Sequence, residues 1–360
     1  MKALIALEDG TIFAGSCFGA PGERCGEVVF NTSISGYQEI LTDPSYKGQI
    51  VTMTYPLIGN YGVNSQDHES RKPFLEGFIV KECSRIASNW RSEQTLREYL
   101  TENKIIAIEG VDTRKLTKHI RLQGAMKAVI STQDLDAQSL IHKAKDSPGL
   151  AGRDLVRDVS CRKQYIWQRQ KKFKVAVLDC GVKYNILRLL AKHNCQVVVL
   201  PAEAAAEEVL AQKPQGLLLS NGPGDPAAVP YVVDTIKRLL GKLPMFGICL
   251  GNQMLGLALG GKTYKLKFGH HGGNHPVKDL RTGKISITVQ NHGFCLDIDT
   301  LNKKDVEITH INLNDQTLEG IRHKKLPVFS VQFHPECSPG PHDAQYLFGE
   351  FVKMMEKSAA

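Results

Sequence analysis

No apolar run in the 360 residues approaches the ~18 that a membrane-spanning helix requires, so no such helix is expected. No C-x-x-C pair occurs among the nine cysteines (Cys17, Cys25, Cys83, Cys161, Cys180, Cys195, Cys249, Cys295 and Cys337), and their number is odd. Scattered thiols in a chain this long argue against a disulfide framework and for a reducing compartment. The first nine residues reach Glu8 and Asp9 too soon for a secretory leader, which makes the cytoplasm the expected location. There is no G-x-x-x-x-G-K-[ST] phosphate loop. The net charge of +8 comes without a stacking platform or a recognised nucleic-acid motif, and its one dense basic cluster runs from Arg169 to Lys174. Nucleic acid is therefore not the expected partner, which leaves a solvated surface or an acidic partner to account for the charge.

What is present is an ordinary globular composition, 42% hydrophobic and 23% charged, in a chain long enough for two cores. Residues 2–7 and 11–14, joined at Asp9-Gly10, read as a hairpin, and 27–31, 49–54 and 78–80 as further strands. Helices are predicted over 93–100 behind Ser92, over 113–122 behind Asp112 with Gly124 just past the end, and over 135–145 behind the capping-box spacing Ser131 to Asp134. The pattern breaks down near 147–172. Beyond it, strands at 174–179, 196–200, 216–220 and 243–248 alternate with helices at 185–192, 202–211 and 229–240. Alternation at this spacing indicates βαβ units and a parallel sheet covered on both faces. After Gly260 come antiparallel-looking pieces at 262–267, 284–289, 306–312 and 328–333. The expected fold is α/β: an open, mostly parallel C-terminal sheet with helices on both faces, preceded by a smaller mixed α+β domain. The expected boundaries are 1–152, a linker 153–171, and 172–360.

Gly247-Ile248-Cys249-Leu250-Gly251 stands between an apolar strand and a helix-like run, the pattern of a nucleophile elbow with a thiol at its tip. A lone cysteine is more often core filling. At a strand end, between glycines and at a helix N-terminus, the dipole favours thiolate, and the nucleophile reading prevails for Cys249 alone. His334 ends the apolar run 328–333, Pro335 stiffens the turn, and Glu336 lies close enough to orient the imidazole. His-Pro-Glu alone reads as a surface turn, and only the elbow gives it weight. Asn221-Gly222-Pro223-Gly224-Asp225-Pro226 is open to two readings, a plain turn or a loop whose N–H groups face an oxyanion together with the Leu250 N–H. His270, His271 and His275 raise the question of metal. No cysteine or carboxylate lies at ligand spacing and the glycines loosen the frame, so a structural loop is read and no metal site is assigned. Residues 290–294 read as a hairpin turn.

Strand, G-x-C-x-G, helix and a later H-P-E together resemble the class I, triad-type glutamine amidotransferases over about 174–357. The N-terminal stretches 26–32, 36–46, 55–60 and 112–114, with 181–188, 268–276 and 338–343, extend the likeness to nearly the whole chain. Over that length it resembles the family of glutaminase (small) subunits of carbamoyl phosphate synthetase. Cys180, Tyr184 and Cys337 depart from the expected pattern, and none is a triad position.

The resemblance implies a catalytic Cys249, His334 and Glu336, and glutamine contacts at Ser45, Gly222, Gly224, Leu250, Gln253, Asn291, Gly293 and Phe294. With Ser45 in the first domain, it places the pocket at a domain interface. It also implies hydrolysis of L-glutamine through a thioester and delivery of ammonia to a large synthetase subunit that makes carbamoyl phosphate from bicarbonate and ATP. No cofactor is implied in this chain, ATP and Mg being used by the large subunit. The alternative is the glutaminase component of anthranilate, GMP or CTP synthesis, against which the N-terminal stretches speak. A scaffold with a vestigial triad is disfavoured by the intact Cys249, His334 and Glu336.

Overall fold

The computed structural model describes residues 1–169 and 172–359. Gln170 and Lys171, inside the basic cluster and the expected linker, and Ala360 lie outside the described residues. The chain divides into two compact units, Met1–Arg153 with Lys267–Gly272, and Asp154–Leu266 with Gly273–Ala360.

The first unit is built on a closed barrel whose strands follow one another in the order Lys2–Leu7, Ile12–Cys17, Ile106–Glu109, Gly77–Ile79, Gln49–Met53, Glu23–Asn31 and Met126–Ser131. Closure comes from the antiparallel pairing of the last of these with the first, through Leu4 with Ser131 and Ile5 with Ile130. Alternating side chains serve two apolar clusters, as the two-residue period of a strand requires. Ile5, Leu7, Val28, Phe30 and Ile50 join Leu116 and Ile120 of the helix Thr113–Gln123. Val29, Val51 and Phe78 join Leu96, Tyr99 and Leu100 of the helix Leu96–Glu102.

Asp112 caps the helix Thr113–Gln123 as expected, accepting from the Lys115 N–H. Two other starts differ from expectation. Thr95, not Ser92, caps the helix Leu96–Glu102, in a reciprocal capping box with Glu98. Asp136 caps Ala137–Asp146, because Ser131 is still in its strand and spends its hydroxyl on the N–H groups of Gln133 and Asp134 in the turn that follows.

The second unit holds a 10-stranded sheet. Its middle is parallel, in the order Cys195–Pro201, Phe173–Asp179, Gly216–Leu219, Met245–Ile248 and Val328–Val331. Val175 and Val177 point to one face, where the helices Tyr184–Lys192 and Tyr346–Ala359 supply Ile186, Leu190, Phe348 and Phe351. Ala176 and Leu178 point to the other, covered by Val232, Ile236, Met254 and Leu255 of the helices Pro230–Leu239 and Leu250–Ala258. This parallel core with helices on both faces is as expected, and beyond Val328–Val331 the sheet continues antiparallel through Leu318–His323, Val306–Asn312 and Thr263–Asp279. Within 153–171, Val156–Val159 is helical and Tyr165–Gln168 pairs antiparallel with Cys195–Pro201 as an edge strand.

Three local expectations are corrected. Val328–Val331 pairs parallel with Met245–Ile248, so it is a strand of the parallel core and not an antiparallel addition. Residues 269–275, expected as a loop, lie in the strand Thr263–Asp279, with positive φ at Gly269 and Gly272. Residues 290–294, expected as a hairpin turn, lie inside the strand Ile285–Leu296. Glycines and polar residues in these segments mimic turns, and ladder pairing overrides that local preference.

Candidate active site

Two adjacent parallel strands end side by side, Met245–Ile248 leading into Cys249 and Val328–Val331 leading toward His334. Their shared direction puts thiol and imidazole at the same carboxyl edge, where open α/β sheets place their ligands. The Cys249 N–H is bonded to the Val331 carbonyl at 2.9 Å, which locks the two strand ends together.

Cys249 has φ 54° and ψ −105°, a conformation that L residues seldom adopt. The sharp turn therefore falls on Cys249 itself. The flanking glycines serve close packing. A Cβ at Gly251 would lie 2.2 Å from the Leu219 carbonyl oxygen, and one at Gly247 would lie 2.8 Å from the Gly251 backbone. Both obstacles are main chain and cannot swing aside. Gly251→Ala is expected to destabilise the chain by about 3 kcal/mol, read from the denaturant midpoint. A loss below about 1 kcal/mol would show that the elbow can relax.

His334 and Glu336 are buried, and Nδ1 of the first lies 2.6 Å from Oε1 of the second. That contact fixes the tautomer and leaves Nε2 for Cys249. Burial opposes the charged imidazole, but the Glu336 carboxylate and the Cys249 sulfur outweigh it and raise the His334 pKa above its ordinary value. Burial likewise opposes the Glu336 carboxylate, yet Lys183 and His334 together hold its pKa below the usual range.

Lys183, which the sequence motifs did not single out, is packed into the site against Glu336. It is 1% exposed, and its Nζ lies 3.1 Å from Glu336 Oε1 and donates to the Cys337 carbonyl at 2.5 Å. Asn185 Nδ2 holds the Glu336 carbonyl at 2.5 Å. The available signal was a lysine just past a strand end, inside the Gly181 to Arg188 stretch.

The other expected contacts fall as follows. Leu250 opens the helix after the elbow, and Gly222 packs so tightly that a Cβ would meet the Cys180 carbonyl at 2.1 Å and the Leu250 side chain at 2.8 Å. Gly224, two residues on, has φ 84°. The Cys249 thiol points to the Asn291 carbonyl, with Sγ at 3.6 Å. Gly293 and Phe294 continue the same strand, and Gln253 Nε2 donates to the Phe294 carbonyl at 2.7 Å. Ser45 belongs to the first unit, buried in the single turn Pro44–Tyr46 with its N–H on Asp43 Oδ1 at 2.9 Å. Cys195, Cys295 and Cys337 are pushed up to about 12, burial being the largest cause at each, so they are inert neutral thiols.

A thiol on a left-handed elbow, with an imidazole and a carboxylate held together past the end of the adjacent parallel strand, is the arrangement expected of a class I glutamine amidotransferase. The family model "Glutamine amidotransferase class-I" matches residues 176–354. A second model, "Carbamoyl-phosphate synthase small chain, CPSase domain", matches residues 5–130. The chain is 55% identical to the carbamoyl phosphate synthase small chain of Syntrophotalea carbinolica, over 99% of both chains. It is also 55% identical to that of Aquifex aeolicus, over 98% of this chain and 99% of the relative. Against the pyrimidine-specific small chain of Bacillus subtilis the identity is 50%, over 99% and 96%. The chain belongs to the carbamoyl phosphate synthase small-chain family.

Proposed function

We propose that the chain is the glutamine-hydrolysing component of a carbamoyl phosphate synthetase. The observation that carries this is the buried His334–Glu336 pair, 2.6 Å apart, set beside Cys249 on a chain whose matched family is the small chain. The Cys249 thiolate attacks the glutamine δ-carbonyl, with the proton passing to His334 Nε2. N–H groups of Leu250 and of the Gly222 to Gly224 loop receive the oxyanion. His334 returns its proton to the departing ammonia and leaves a thioester, then deprotonates the water that releases glutamate. Glu336 keeps the imidazole in its working tautomer and stabilises imidazolium.

A name that includes "small chain" entails a larger companion. The proposed partner is a large synthetase subunit that consumes the ammonia together with bicarbonate and ATP. ATP and Mg belong to that partner in this reading, and the steps above need no metal.

A diazoketone analogue of glutamine tests the assignment. It is expected to alkylate Cys249 selectively, to be blocked by excess glutamine, and to leave synthesis from ammonia untouched in the assembled enzyme. Labelling that spares Cys249, or that glutamine does not slow, would remove the basis for the assignment.

A further inference from the structure

Gln332 is buried completely, two residues before His334, and the steps above give it no task. Its side-chain amide carries one acceptor and two donors. Oε1 accepts from Asn252 Nδ2 at 3.2 Å and from Gln253 Nε2 at 3.1 Å. Nε2 lies 3.7 Å from Cys249 Sγ and donates to it. The polarity of this arrangement is imposed from outside. Gln253 Nε2 also donates to the Phe294 main-chain carbonyl at 2.7 Å, a group that can only accept. Gln253 must therefore present its NH2 to Gln332. Asn252 Oδ1 accepts the Ser330 hydroxyl at 2.8 Å, which leaves its Nδ2 for Gln332. With two N–H donors on its oxygen, Gln332 has to turn its own NH2 to the sulfur.

Besides His334, whose imidazole interacts with the sulfur, the Asn291 carbonyl lies 3.6 Å from Sγ, where it accepts from the neutral thiol and repels a thiolate. Gln332 has the opposite preference.

We propose that Gln332 is a further catalytic residue, an amide donor that stabilises the Cys249 thiolate and is aimed by the Gln253–Phe294 contact. It acts twice in the cycle. The thiolate exists before attack on the amide, and it departs again when water breaks the thioester. No atom is transferred to or from Gln332; it only holds charge at the sulfur. The inference rests on the glutaminase reading for its place in the cycle, but its test uses no glutamine, so the two can fail separately.

The test is the pH dependence of iodoacetamide alkylation of Cys249 in the full chain, followed on the Cys249 peptide by mass spectrometry. Wild type, Gln332→Met and Gln332→Glu are compared as chains that still unfold cooperatively. Gln332→Met removes the donor at similar volume. Gln332→Glu keeps an oxygen for Asn252 and Gln253 and presents a second oxygen to the sulfur, so it covers the case in which the methionine variant does not fold. The rise of alkylation with pH is expected to move up by about one unit in Gln332→Met, roughly tenfold slower alkylation below the rise at an unchanged high-pH plateau. A shift at least as large is expected in Gln332→Glu. A merely structural residue would lower the plateau and leave the rise where it is, and that result in either folded variant would overturn the proposal.

Discussion

Cys249→Ser in the assembled synthetase is expected to abolish glutamine-dependent synthesis of carbamoyl phosphate, by about 10⁴-fold or more, while synthesis from added ammonia continues at the wild-type rate. A serine hydroxyl is far less acidic and less nucleophilic than a cysteine thiol. The change is small in volume at a buried, strained position, so the chain should remain folded and bound to its partner. Carbamoyl phosphate formation with each nitrogen source separates the outcomes. Full turnover on glutamine would show that Cys249 is not the nucleophile. Loss of both activities would show that the substitution damages the assembly and not the chemistry alone.

Glu336→Gln should cost about 10⁴-fold in glutamine hydrolysis, because an amide cannot hold the imidazole in the same tautomer or stabilise imidazolium. It also strands Lys183, whose buried Nζ loses its carboxylate partner 3.1 Å away and keeps the Cys337 carbonyl. Breaking one side of a buried pair is expected to cost about 3–5 kcal/mol of stability. Lys183→Met with Glu336→Gln should recover most of that stability, since neither charge is then buried alone, and recover none of the activity. A double variant no more stable than Glu336→Gln would mean that Lys183 is held by something other than the carboxylate.

The pH dependence follows the same groups. The pKa of Glu336 is depressed in the folded chain, so its contribution is complete above its ordinary value of 4.5 and is lost as pH falls toward the folded value. The pKa of His334 is raised, so its contribution is complete below its ordinary value of 6.5 and is lost as pH rises through the folded value. The double variant should therefore lose less stability between about pH 5 and pH 3 than wild type does, measured by denaturant midpoints at each pH.

The elements that reached the surface of the sequence are those with a strong local signal. Residues 175–178 of the strand Phe173–Asp179, and the strand Met245–Ile248, are continuous apolar runs, as strands buried on both faces must be. The elbow was legible because glycine on both sides of a cysteine at a strand end is a rare local pattern. Its physical reason was not legible, since the obstacle to a Cβ at Gly251 is the carbonyl of Leu219 on a neighbouring strand. The histidine stretch 269–275 and the segment 290–294 looked like loops because their glycines and polar residues carry turn propensity, while their place in two long strands that neighbour each other in the sheet overrides it. Barrel closure in the first unit depends on a pairing between strands more than a hundred residues apart, which no local pattern encodes.

By itself the sequence marked Cys249 as the candidate nucleophile and supplied a His-Pro-Glu partner, the parallel α/β frame, and the likeness in the N-terminal half that distinguishes this family from other amidotransferases. Only the tertiary structure decided that Val328–Val331 runs parallel beside the elbow strand and so brings His334 to the thiol. It alone decided that Lys183 shares Glu336 with His334, and that Gln332 is turned amide-first toward the sulfur. The division is physical. A nucleophile between glycines is a matter of adjacent residues, whereas the charge state of a buried triad depends on which polar groups from distant strands are packed, without water, against it.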